Sequence, residues 1–137
     1  MFHIVASTGR TATSFLADCL DRLPGLAACH EGHRRDDTGE DLLPLVNLEN
    51  QQVFRNPSTA AAVVAAKRSA PVIATALATA DAEVLVDIAY YNVGLAEAIL
   101  DLHPSTRAVV IIRDCESFVR SVTWLEGTDP MPVGWPD

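Results

Sequence analysis

The sequence predicts an α/β fold: three layers, with a mainly parallel sheet covered by helices on both faces. Three observations predict it. Short, apolar, β-branched runs alternate along the chain with segments of helical periodicity. Hydrophobic residues make up 49% of the 137 residues and aromatic residues only 6%, an aliphatic and alanine-rich makeup suited to helices packed on a sheet. Two of the strand candidates also run directly into a polar junction that opens a helix, as β–α units do. The length fits one domain over 1–137, able to bury a single core without disulfides or metal.

The elements follow in order. FHIVA (2–6) reads as a buried strand, and residues 7 to 12 as a loop. Thr11 or Thr13 is placed to cap the next helix, in which Phe15, Leu16, Cys19, Leu20 and Leu23 recur at helical spacing until Pro24-Gly25 stops it. LAACHE (26–31) is a second, weaker strand. GHRRDDTGED (32–41) is charged and glycine-punctuated, an exposed loop. The alanine-rich stretch from 58 to 80 reads as two helices divided near Pro71, which suits a first helical turn. EVLVDIA (83–89) is another buried strand, followed by a helix over 93–102. RAVVII (107–112) is the clearest strand, CESFVRSVTWL (115–125) an amphipathic helix, and the Pro- and Gly-rich ending from 126 to 137 irregular.

Charge and composition exclude several classes. A net charge of −8 argues against a nonspecific nucleic-acid binder and against a polybasic membrane anchor. Nine of the ten basic residues are arginines, which suits planar recognition of oxyanions. Cys19, Cys29 and Cys115 are odd in number and lack CxxC spacing, so reduced thiols in a cytoplasmic protein are expected. No leader segment is visible at the start, and Lys67-Arg68-Ser69 and Pro71 interrupt the longest apolar stretch, so no membrane span is expected.

In a parallel α/β sheet, ligands bind at the carboxyl ends of the strands. Two junctions there carry an arginine at the strand exit: GRTATS with Arg10, and RDCES with Arg113. Each opens a helix, whose first N–H groups and partial positive charge favour an anion, so together they suggest a ligand with two anionic groups. Neither GxxxxGK[ST] nor GxGxxG is present.

This pair of junctions resembles the sulfotransferases that use 3′-phosphoadenosine-5′-phosphosulfate (PAPS). In that family a loop of the form [KR]-[ST]-G-[ST]-[ST] after the first strand cradles the 5′-phosphosulfate, and Arg10-Thr11-Ala12-Thr13-Ser14 matches it. A later strand ends in an arginine followed eight residues on by a serine, and the two hold the 3′-phosphate; VVIIRDCESFVRS supplies Arg113 and Ser121. The resemblance covers residues 2–31 and 84–125. It implies a P-loop-like architecture, PAPS as sulfuryl donor, no metal, and a small-molecule hydroxyl or amine as acceptor. Ala12 stands where the family usually has glycine, so the loop is expected to keep a negative φ there or to shift its backbone. Arg10 replaces the lysine of many members, and the chain ends soon after Ser121, where members usually continue. A second copy covering the apolar surface so left open makes a homodimer the expected assembly.

The resemblance also assigns roles. Arg10, the loop N–H groups and the Thr13 or Ser14 hydroxyl would stabilise charge on the leaving phosphate. A His or Glu near the second strand takes the acceptor proton in the family, which carries that role to His30 or Glu31, with Glu31 favoured. Two other functions remain open: a non-catalytic nucleotide-binding module needing a partner chain, and a small kinase-like phosphotransferase. CHEGH lacks the spacing of a helical zinc site; Cys29, His30 and His33 offer ligands without an evident fourth, and the simpler reading makes Cys29 core and His33 a solvated loop residue. Asp87 either orients a ligand or an arginine, or is a strand-terminal turn residue, the latter favoured. Arg120 helps an anion or faces solvent, Trp124 and Trp135 pack, and His3 and His103 terminate elements.

Overall fold

The computed structural model describes residues 1–8, 12–34, 39–46 and 52–116. Arg10, Thr11, Ser121, Arg120, Trp124, Trp135, most of the 115–125 helix and the ending lie outside the described residues. Four strands, β1 (Phe2–Ser7), β2 (Leu26–His30), β3 (Val84–Ala89) and β4 (Ala108–Ile111), form one sheet in the order β2-β3-β1-β4. Every pairing is parallel, with Ile4 opposite Asp87 on one side and Ala108 on the other. The expected α/β class is therefore observed, with a sheet that is parallel throughout the described residues.

β1, β2 and β3 are buried on two faces, as parallel strands usually are, and the side-chain alternation divides the core in two. On one face Val5, Ala28, Val86 and Ile88 meet Leu16, Ala17 and Leu20 of helix α1 (Thr13–Asp21). On the other, Phe2, Ile4, Ala27, Cys29, Leu85 and Ala89 share a cluster with residues of α2 (Ala60–Lys67), α3 (Ala70–Thr79) and α4 (Asn92–Leu102). Helices thus cover both faces. The connection from β1 moves toward one edge over the α1 face, whereas that from β3 crosses beyond β1 over the other. The carboxyl ends of β1 and β3 therefore flank a switch point, where open α/β sheets bind ligands.

Several local expectations change. In α1 Thr13 and Ala17 are buried and Leu16 and Leu20 pack half-buried against the sheet, while Phe15 is 69% exposed and Cys19 is exposed. Helix α1 closes at Asp21, so Leu23 falls past its end and is also exposed. The N-cap is Ala12, with no side-chain cap, so Thr13 does not cap this helix.

The exposed loop expected over 32–41 has an ordered stem: His33 bridges to both His30 and Asp41, and Gly32 is buried. Gly32 sits at φ +91, and a Cβ there would lie 2.5 Å from the Leu43 carbonyl oxygen, which fixes this position as glycine. The alanine-rich stretch divides as expected. A 3₁₀ turn (Pro57–Thr59) precedes α2, the break falls at Arg68-Ser69, and Pro71 lies in the first turn of α3. At the sheet edge β4 leaves Val109 and Val110, which point to opposite faces, more than half exposed.

Candidate functional site at the carboxyl ends of the strands

Four junctions meet at the carboxyl edge. After β1, the Thr8 N–H donates to the Ile111 carbonyl, and the Arg113 N–H donates to the Thr8 hydroxyl at 3.3 Å. These bonds tie the β1 and β4 exits side by side. Arg113, half-buried, thus stands beside the loop that leads into α1.

That loop enters α1 through Ala12 at φ 57, ψ 32. The expected negative φ is not kept. The backbone takes the left-handed conformation natural to glycine, with a Cβ present, at a cost of about 1 kcal/mol. Thr13, buried at the first position of α1, is joined to the end of β2: its Oγ1 lies 2.9 Å from His30 Nε2. Two residues that the sequence placed in separate roles are therefore hydrogen-bonded neighbours. Ser14 follows, half-buried, on the first turn.

Glu31 is also left-handed, at φ 56, and its N–H donates to the Ile88 carbonyl of β3. Three non-glycine residues with positive φ occur among the described residues, Ala12, Glu31 and Asp81, and two of them stand at this edge. Backbone strain of this kind persists only where the surroundings impose it, and it concentrates at functional sites.

Beneath the edge lies a buried polar network. Asp87 is the fourth residue of the six-residue β3, not a strand-terminal turn residue, and it is fully buried. Its Oδ2 accepts from Arg68 Nε at 2.9 Å, and its Oδ1 accepts from the Cys29 thiol. The Arg68 Nη1 donates to the Pro44 and Lys67 carbonyls and Nη2 to the Tyr91 hydroxyl, so the guanidinium is well matched. The His103 ring nitrogen Nε2 bonds the Arg68 carbonyl at 2.7 Å, a structural role for a residue expected to have none.

Burial disfavours the Arg68 cation, but the Asp87 charge and hydrogen bond, with smaller contributions from Tyr91 and Cys29, together outweigh it, and the arginine is held more firmly protonated than usual. Burial, helped by the same carboxylate, pushes the Cys29 thiol and the Tyr91 phenol well above their ordinary values. Cys29 is therefore held as a neutral thiol within the core, as the simpler reading of CHEGH expected. Asn92 completes the scaffold: its Nδ2 lies 3.0 Å from the Asp87 carbonyl and 3.3 Å from that of Val5, linking the start of α4 to β3 and β1 at the switch point.

The structure thus brings Ala12, Thr13, Ser14, His30, Glu31 and Arg113 to one edge of the sheet. Arg68 and Asn92 escaped the sequence reading. The signal for Arg68 was present in the lone acid inside VLVDIA and the basic Lys67-Arg68 interruption of an alanine-rich stretch, opposite charges in apolar surroundings. Among the described residues no three His, Cys, Asp or Glu side chains gather as a metal site, and no single helix is long and apolar enough to cross a membrane. The fold is that of an α/β protein whose described strands form a parallel sheet, with the switch point at its carboxyl edge. Searches against protein-family models, curated proteins and solved structures found no match to this chain.

Proposed function

We propose that this protein is a sulfotransferase of P-loop-like architecture, transferring a sulfuryl group from PAPS to a hydroxyl or amine of a small molecule. The observation that carries the reading is the strand order. With β1 between β3 and β4, the loop after β1 is flanked by Arg113 on one side and, one strand beyond β3, by the His30–Glu31 turn on the other. Neighbouring strands lie about 4.8 Å apart, so the β4 and β2 exits are separated by roughly 14 Å, room for a nucleotide with two anionic ends and an acceptor beside it. The left-handed backbone at Ala12, where the resembling family carries glycine, supports the same reading.

In this mechanism the acceptor oxygen or nitrogen forms a bond to sulfur as the bond between sulfur and the bridging oxygen breaks. The electron pair of that bond stays on the 5′-phosphate of the departing 3′,5′-adenosine bisphosphate. Arg10, with the N–H groups of the 10–14 loop and the Thr13 or Ser14 hydroxyl, stabilises that charge. Arg113 and Ser121 hold the 3′-phosphate. The acceptor proton passes to Glu31, favoured over His30 because the His30 Nε2 already engages Thr13. The kinase-like alternative needs an acid free to position Mg²⁺, and the strand acid nearest the switch point, Asp87, is buried against Arg68. A cytoplasmic location and a homodimer, in which a second copy covers the exposed face of β4, accompany the proposal.

The test is calorimetric titration with 3′,5′-adenosine bisphosphate, using ADP as comparator. Selective binding of the bisphosphate, weakened at least tenfold in Arg113→Ala, is expected. Equal affinity for ADP, or an Arg113→Ala variant that binds as well as wild type, would overturn the assignment.

A further inference from the structure

From the contact between His30 and Thr13 we infer that His30 is a positioning residue that sets the direction of the Thr13 hydroxyl, so that anion binding at the α1 entrance is linked to a proton on His30. The inference rests on the anion site proposed above and adds a regulation to it. The hydroxyl has one proton to give and oxygen lone pairs to receive. At 2.9 Å the contact with His30 Nε2 suits either direction. When Nε2 carries no proton, Thr13 must donate to it, and the oxygen is left presenting lone pairs to the loop. When Nε2 is protonated, the ring donates to Oγ1 and the hydroxyl proton is released to donate to an anion.

The imidazolium holds Nε2 in the donor state and adds a positive charge. The neutral ring reaches that state only by selecting one of its tautomers. An anion that uses the Thr13 hydroxyl therefore binds best to protonated His30, and by linkage its binding draws a proton onto the ring. Affinity is greatest at low pH, where the ring holds its second proton, and declines as the pH rises and the ring loses it.

The surroundings of His30 are mixed in charge. α1 carries Asp18, Cys19 and Asp21, and Asp21 is paired with Arg34. The following turn carries Glu31 and His33, the latter paired with Asp41. β3 contributes Asp87 from the opposite face of the sheet, paired with Arg68. Among these groups His30 is the one whose ring is bonded to the Thr13 hydroxyl, so its protonation is coupled to Thr13 directly and that of the others only through space.

Sulfate is the appropriate probe, because it does not titrate between pH 6 and 8 whereas phosphate esters do. Titration of isotope-labelled protein with sodium sulfate at constant ionic strength, followed through the Thr13 amide and the His30 ring nitrogens by NMR, should show affinity at least about fivefold tighter at pH 6 than at pH 8. The His30 titration should move upward when sulfate is present. His30→Gln, whose side-chain amide can always donate, should bind sulfate with no pH dependence over this range. Thr13→Val should lose the pH dependence too, because it removes the hydroxyl that His30 orients.

A pH dependence that survives in Thr13→Val would show His30 acting as a nearby charge and overturn the orienting role. Equal affinity at both pH values in the wild-type protein would overturn the linkage while leaving the anion site standing. Failure of sulfate to bind at either pH would overturn the anion site and the linkage together.

Discussion

Replacing Arg68 by methionine is the sharpest test of how this fold is held together. Methionine matches much of the arginine stem and removes the guanidinium. The side chains of Arg68 and Asp87 are both fully buried, so the Asp87 carboxylate would keep its thiol contact from Cys29 and lose its only counter-charge among the described residues. The Tyr91 hydroxyl and the Pro44 and Lys67 carbonyls would each lose a donor. Breaking a buried pair from one side costs about 3–5 kcal/mol, against a total stability of roughly 5–15 kcal/mol for a domain.

With a denaturant slope of about 1–3 kcal/mol per molar urea, the unfolding midpoint should fall by roughly 2 M. Circular dichroism during urea titration at pH 7 measures it. Asp87→Leu alone should cost a similar amount, because it strands a buried guanidinium. The double variant removes both charges and should be no less stable than either single one. A loss below about 1 kcal/mol for Arg68→Met, or a double variant showing the sum of the two single losses, would refute the view that the pair is a coupled unit.

Three further outcomes follow from the backbone and the buried acids. Ala12→Gly should raise stability by about 0.5–1 kcal/mol, because it relieves the left-handed strain at the entrance of α1; thermal melting reads it. Gly32→Ala should lower stability by at least about 2 kcal/mol in the same assay, since its Cβ would meet the Leu43 carbonyl at a positive φ. Cys29 and Tyr91 stay neutral in the fold at pH values where the unfolded chain ionises, so the native state holds more protons there. Stability should therefore be fully present below about pH 8.5 and fall by about 1.4 kcal/mol per pH unit as the cysteine contribution is lost above it. Urea midpoints measured from pH 8 to 10 should flatten in Cys29→Ala.

β1, β3 and β4 were legible because a short β-branched run is a local signal, whereas β2, LAACH, has no β-branched residue and read more weakly; β1 and β3 differ from the sequence reading by one residue at an end. The breaks at Pro24-Gly25 and near Pro71 were legible for the same reason: proline and glycine act locally. The face of α1 was not. Its apolar residues outnumber the positions that can reach the sheet, and packing against Val5, Ala28 and Ile88 selected Leu16, Ala17 and Leu20 over Phe15 and Cys19.

At the candidate site, the residue types at the strand exits were legible, since each lies a few positions from a clear strand. Their partnerships were not. The Thr13–His30 bond joins residues 17 apart, and the Arg113–Thr8 bond residues 105 apart, so both depend on a strand order that no local pattern encodes. Ala12 failed for a different reason. The alanine side chain argued for a negative φ, and the tertiary path into α1 overrode that local preference.

The buried pair also bears on the electrostatics of the proposed site. A chain with a net charge of −8 repels an anionic nucleotide at long range, so attraction must come from groups within contact distance. Repulsion between solvent-exposed charges fades beyond about 8 Å at physiological salt, whereas charges held inside the protein are screened far less. An unpaired Asp87 under the switch point would therefore oppose the ligand more than the surface acids do. Arg68 cancels that charge from within the core, through a bond that does not reach solvent. β3 can then lend its backbone and the Asn92 link to the switch point without lending it a negative charge, and the donors proposed to hold the anion on either side of β1 are left to set the local field.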